Sequence, residues 1–154
     1  MKAENVPVID ISPFLAGDSV GKTTVSKAVA EACKTIGFFA IKGHGVPQAI
    51  IEDLREASHV FFEQNEEIKK ASSHPIPDTP RGFRELAGEA LGRTVVPDAT
   101  PDLKEFYHYG PESWPEAPYY TSPQGQNYFI PNLWPEEPPT FKKAAVAYYE
   151  EMNR

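Results

Sequence analysis

Cysteine is almost absent. Cys33 is the only one in 154 residues, so neither an internal disulfide nor a cysteine-rich zinc site can form. Long apolar runs are missing too. No stretch approaches the ~20 residues that cross a bilayer. The opening "MKAENVPVIDISPF" carries acids and prolines where a secretory leader would be continuously apolar. Basic charge is short. Fifteen Lys and Arg against 22 Asp and Glu leave a net charge of -7, the wrong sign for a non-specific grip on nucleic acid. No basic run is available to hold an anionic membrane. These shortages predict a cytoplasmic protein whose partners include neither nucleic acid nor a membrane. The length is that of a single domain.

Proline is plentiful. There are sixteen, about twice the usual share, and ten of them lie between Pro97 and Pro139. The chain therefore changes from regular elements to a long extended passage near its middle. Before that point, "VPVIDI" (6–11) predicts a β-branched strand. Val25, Ala28, Val29, Ala32 and Ile36 predict a helix over about 21–36, with Gly37 as its C-cap. "FFAIK" (38–42) predicts a buried strand, and Pro47 opens a helix running to about residue 63. "NEEIKKA" (65–71) reads as a short helix capped by Asn65, with acids first and lysines last as the helix dipole favours. Later strands are expected in "RGFREL" (81–86) and "KEFYHYG" (104–110). A last helix, about 139–152, carries Phe141, Ala144, Ala145, Tyr148, Tyr149 and Met152 on one stripe. The chain stops two residues after that stripe, which is the expectation for a truncated polypeptide.

"GDSVGKTT" ends like a phosphate-binding loop. The full pattern needs a glycine five places before Gly21, directly after a buried strand. Ala16 stands there, and Ser12 to Leu15 separate the strand from the loop. A polar loop entering a helix is the expected reading, with Lys22 solvated.

In order and wording, these elements resemble the N-terminal region of the iron(II)- and 2-oxoglutarate-dependent dioxygenases, isopenicillin-N-synthase-like branch. The resemblance rests on "VPVIDISPFLAGD", the block "ACKTIGFFAIKGHGVPQAIIEDLREASHVFFEQNEEIKKA", the paired "RGF" and "DLKEFYHYGPE", and "NLWPEEPPTFKKAAVAYYEEM". Gly43 stands where that family usually has Asn. The resemblance implies an α+β fold in which helices and short strands form a lobe that normally packs on a double-stranded β-helix (jelly-roll) core. The core itself is absent from this chain. Residues 1–118 would be the non-haem dioxygenase N-terminal domain. Residues 119–154 would be a Pro-rich connection and a helix leading into the missing catalytic core.

That family holds Fe(II) with two histidines and a carboxylate, written H-x-D with a distal His, and grips 2-oxoglutarate with R-x-S. None of His44, His59, His74 and His108 begins H-x-D, and no R-x-S occurs. No metal ligand or catalytic residue is therefore expected in this chain. Fe(II), 2-oxoglutarate and a small-molecule substrate belong to the full-length enzyme, and the C-terminal core is the expected partner. Cys33 is expected to be a small core residue. The resemblance also implies that the stretch after R-G-F borders the substrate, which makes Arg81, Phe83, Glu89 and Tyr107 candidate substrate-binding residues. The resulting expectation is the N-terminal part of an oxygenase, inactive alone. The alternative is a stand-alone interaction module with the same fold and no catalysis.

Overall fold

Asp18 starts the first long helix. Its carboxylate accepts the Gly21 N–H at 2.5 Å, satisfying a donor that the helix cannot satisfy itself. The computed structural model describes residues 5–76, 79–88, 90 and 97–154. The chain divides into two units, Met1–Val46 and Pro47–Arg154.

In the first unit, β1 (Val8–Asp10), α1 (Ser12–Leu15), α2 (Ser19–Thr35) and β2 (Ala40–Lys42) follow in order. β1 and β2 pair in parallel, Val8 opposite Ala40 and Asp10 opposite Lys42. Ile9, Val25 and Ala32 form the core, with Ile11 and Val29 packed against it. The Asp10 carboxylate accepts both the Ser12 N–H (3.0 Å) and its hydroxyl (2.6 Å). Those bonds hold its pKa below the ordinary range and turn the chain out of β1. The phosphate-loop letters are answered here. The Gly21 N–H faces a carboxylate, where a phosphate would be repelled. The Thr23 and Thr24 hydroxyls donate to carbonyls one turn back. Lys22 is exposed and lies 5.9 Å from the centre of the Phe14 ring.

The second unit contains α3 (Gln48–Phe62), α4 (Glu66–Lys70), β3 (Gly82–Arg84), β4 (Phe106–His108), α5 (Pro118–Thr121) and α6 (Thr140–Met152). Asn65 caps α4 by accepting the Ile68 N–H at 3.0 Å. α3 and α6 pack together, and β3 and β4 run antiparallel with Phe83 opposite Tyr107. The core is Ala57, Phe61, Phe83, Phe141 and Ala144. Phe61 is its centre, fully buried. Its ring lies 5.1 Å from Phe62, 5.9 Å from Phe83, 5.3 Å from Tyr107 and 5.1 Å from Phe141, the first three edge-on. Such pairs add to plain burial because ring edges and faces carry opposite partial charge.

The α+β character and order of elements agree with the sequence reading, and no closed barrel occurs among the described residues. Four details differ. The apolar run 38–42 predicts a buried β2, yet all three of its residues are exposed, whereas α2 packs on β1. Cys33, expected in the core, is exposed. The buried stripe of α2 is narrow, and Cys33 is turned about 100° from Ala32 around the helix. Pro47 is the N-cap of α3 rather than its first helical residue. The one-turn helices α1 and α5 have no counterpart in the sequence reading, because four residues are too few to show a helical period.

Phe61→Ala should cost about 3–5 kcal/mol through the cavity that it leaves, read as a fall in the urea midpoint. Val60→Ala, on the exposed side of the same helix, should cost less than about 1 kcal/mol.

Candidate functional site

The R-G-F triplet opens the β3–β4 ladder, and each of its residues has a separate reason to be there. Arg81 is 6% exposed. Its guanidinium donates to three main-chain carbonyls: Pro80 at 2.6 Å, Tyr128 at 2.7 Å and Ile130 at 3.2 Å. It makes no ion pair among the described residues, and burial pushes its pKa down. Gly82 sits at φ +80 with the Ser72 carbonyl where a Cβ would go. The Phe83 N–H donates to that same carbonyl at 3.0 Å. Phe83 itself is core, 1% exposed.

Across the ladder, the Tyr107 hydroxyl donates to the Leu133 carbonyl, and burial pushes the phenol's pKa up. Lys69 supports the floor of the ladder. Its ammonium contacts Glu105 at 2.7 Å, donates to the Phe62 carbonyl at 3.3 Å and lies 5.5 Å from the centre of the Phe83 ring.

Asn132 extends this network. Its side chain clasps Gly110 from both sides, accepting the N–H at 2.8 Å and donating to the carbonyl at 2.9 Å. Gly110 in turn packs on the Arg81 guanidinium, where any Cβ would collide with it. Glu112 accepts from Asn132 at 2.8 Å and from the Trp134 indole at 3.0 Å, and pairs with Lys142 at 3.1 Å. The Asn132 bond first, then the Lys142 and Trp134 contacts, hold the Glu112 carboxyl below its ordinary value of 4.5.

Three of the four candidate substrate residues, Arg81, Phe83 and Tyr107, thus gather on one ladder. Glu89 lies outside the described residues. Glu112, Asn132 and Trp134 are not singled out by the sequence. Glu112 lies 20 and 22 residues before Asn132 and Trp134, and no local pattern links "GPE" to "PNLWP".

No group of three or more His, Cys, Asp or Glu among the described residues is placed to hold a metal ion. His44 and His74 each use Nδ1 as acceptor for a main-chain N–H two residues on, at 3.1 Å. The His108 ring lies 4.7 Å from that of Phe106. These residues do not fit the two-His-one-carboxylate arrangement that Fe(II) oxygenases require. What the network can do is hold irregular backbone in place.

Residues 6–137 match the family described as the non-haem dioxygenase in morphine synthesis N-terminal region. The chain belongs to this non-haem dioxygenase N-terminal family. Among its relatives, the 2-oxoglutarate-Fe(II) type oxidoreductase hxnY of Emericella nidulans is 31% identical, covering 95% of this chain and 41% of its own. Validamycin A dioxygenase of Streptomyces hygroscopicus subsp. limoneus is 28% identical, covering 97% and 40%. A full-length Neurospora crassa protein, solved in complex with alpha-KG, superposes with a TM-score of 0.67 at 27% identity, covering 95% and 42%. The chain thus spans about two fifths of the length of the curated relatives that it matches. The dioxygenase N-terminal fold carries R-G-F as a structural element in this chain: clamp, tight turn and core ring.

Arg81→Lys should destabilise the second unit. Lysine keeps the charge but lacks the fork, and each buried carbonyl left without a donor costs about 1–3 kcal/mol. Denaturation of the variant checks this, with Arg84→Lys as the less buried comparison. Glu112 sets a pH dependence. Its folded pKa lies below the ordinary 4.5, so between the two values the unfolded chain binds more protons and stability rises with pH. The contribution is complete above the ordinary value and is lost as pH falls through the folded one. Urea midpoints across that range should slope less in Glu112→Gln.

Proposed function

We propose that this chain is the supporting N-terminal lobe of an Fe(II)- and 2-oxoglutarate-dependent oxygenase that oxidises a small molecule in the cytoplasm. The observation that carries the reading is the family match over residues 6–137, combined with relatives of which the chain spans about two fifths. Two of those relatives are named as a 2-oxoglutarate-Fe(II) type oxidoreductase and a validamycin A dioxygenase. The iron and 2-oxoglutarate would be held by a jelly-roll core C-terminal to Arg154. That core would supply oxygen activation. Residues 1–118 would form the lobe proper, and residues 119–154 would lead into the core.

In this reading the R-G-F ladder serves the substrate side as a fixed wall. Phe83 is buried and the Arg81 donors are engaged by carbonyls. The contribution of Arg81 to substrate recognition would therefore run through the backbone that it holds at residues 128 and 130, and that of Tyr107 through residue 133. The lobe would be catalytically silent alone, since no ligand set for Fe(II) gathers among its described residues.

Titrating Fe(II) into the purified 154-residue chain should show no tight stoichiometric binding. Adding 2-oxoglutarate should release no succinate, whereas the polypeptide read past the Arg154 codon should release it. Oxygen uptake in step with succinate release by the 154-residue chain would overturn the proposal.

A further inference from the structure

Tyr107, Trp134, Tyr109 and Tyr149 stand in file through the second unit. Tyr107 stacks on Trp134, with ring centroids 6.3 Å apart and planes at 15°. Trp134 lies 5.6 Å from Tyr109, and Tyr109 lies 6.1 Å from Tyr149. Phenol and indole rings are the side chains most readily oxidised by one electron without sulfur chemistry, and rings this close exchange electrons. The Phe61 and Phe141 rings beside the file have no O–H or N–H and are far harder to oxidise.

Losing an electron turns a phenol or indole into a strong acid, so oxidation is easy only where a base takes the proton. The Tyr107 hydroxyl donates to the Leu133 carbonyl, which is no base, and burial favours its protonated form. Trp134 is placed differently. Its indole N–H donates to the Glu112 carboxylate at 3.0 Å, which Asn132 and Lys142 keep ionised. Lys142 also lies 5.9 Å from the centre of the indole. A positive charge left on that ring would be repelled, so the proton leaves with the electron. Tyr109 and Tyr149 are half-buried, within reach of water. Tyr149 lines a surface cavity of about 190 Å³ beside Gly110 and Val146, open to a small molecule.

We propose that Trp134, Tyr109 and Tyr149 form a relay that drains oxidising equivalents from the oxygenase core to the surface. This rests on the functional reading above, since a core that activates oxygen without substrate releases radical oxidants of the hydroxyl class. Such an oxidant takes one electron from Trp134, and the indole proton passes to Glu112. Trp134 then takes an electron from Tyr109 and recovers its proton from Glu112, while the Tyr109 proton goes to water. Tyr149 restores Tyr109 with an electron, Tyr109 regains a proton from water, and the Tyr149 proton goes to water. A thiol in the cavity gives Tyr149 an electron and a proton and leaves as a thiyl radical. In sum, one electron passes from thiol to oxidant and one proton is released. Glu112 and Glu150 line the cavity and favour a neutral reductant over an anionic one.

Pulse radiolysis of the 154-residue chain with azide radical, a selective oxidant of indoles, tests the relay. Trp114→Phe removes the other tryptophan and serves as the background. There the indole radical should appear deprotonated and convert to a tyrosyl radical at a rate independent of protein concentration. Tyr109→Phe should abolish that conversion, Tyr120→Phe should leave it unchanged, and Glu112→Gln should make the indole radical appear first as its protonated cation. Conversion that scales with concentration, or that survives Tyr109→Phe, overturns the relay. Identical indole spectra with and without Glu112 overturn the proton step on which it depends. The polypeptide read past the Arg154 codon, given Fe(II), 2-oxoglutarate and oxygen without substrate, tests the protection. Tyr149→Phe should inactivate after fewer turnovers than wild type, and Tyr120→Phe after as many. Equal lifetimes of Tyr149→Phe and wild type overturn the draining role. No succinate release from wild type sinks the functional reading instead, a result separate from radical transfer in the short chain.

Discussion

Much of the proline-rich passage builds no ladder of its own main chain, and the architecture of the second unit follows from that constraint. A proline offers no N–H and holds its neighbours out of helix. The carbonyls of residues 110, 128, 130 and 133 are instead held by the side chains of Asn132, Arg81 and Tyr107. Each donor comes from a distant part of the chain and reaches backbone that has no ladder. A buried guanidinium suits the task, since its donors are fixed in one plane and carbonyls several residues apart can share them. The cost of burying the charge is offset by those bonds, and the Gly110 surface lets the second strand's end close over it.

The aromatic core gives this network its rigidity. Phe61 on α3, Phe83 on β3, Tyr107 on β4 and Phe141 on α6 meet in one cluster. Tyr107 belongs to both systems, with its ring in the core and its hydroxyl on the Leu133 carbonyl. Glu112 repeats the pattern at the rim, joining Asn132, Trp134 and Lys142. Helix α6 is thereby tied to the strand end through Lys142 as well as through Phe141. A lobe built this way presents fixed surfaces. That fits a family whose members match this chain over only part of their length.

The first unit follows a different logic. Its β-α-β path is regular, its core is small, and the residues of β2 are exposed. The second unit holds its backbone with side chains, whereas the first leaves main-chain groups at an edge.

Much of this is legible in the residues themselves. Helical stripes mark α2, α3 and α6, and Asn65 marks the start of α4, because periodicity and capping are local properties. The spacing before Gly21 is enough to dismiss the phosphate loop, and Asp18 supplies the physical reason. The grouping of Arg81, Phe83 and Tyr107 is anticipated through family wording. Their partners are not, because Tyr128, Ile130 and Leu133 lie 26 to 49 residues away, and hydrogen bonds across such gaps leave no local pattern. The exposure of Phe38, Ile41 and Cys33 is equally hidden, because apolar character alone does not say whether anything lies above a residue. Local order came from the sequence by itself, since a helix needs only its own neighbours. Which faces are covered, and which carbonyls Arg81 holds, were decided by tertiary structure, since burial and long-range hydrogen bonds exist only once distant segments meet.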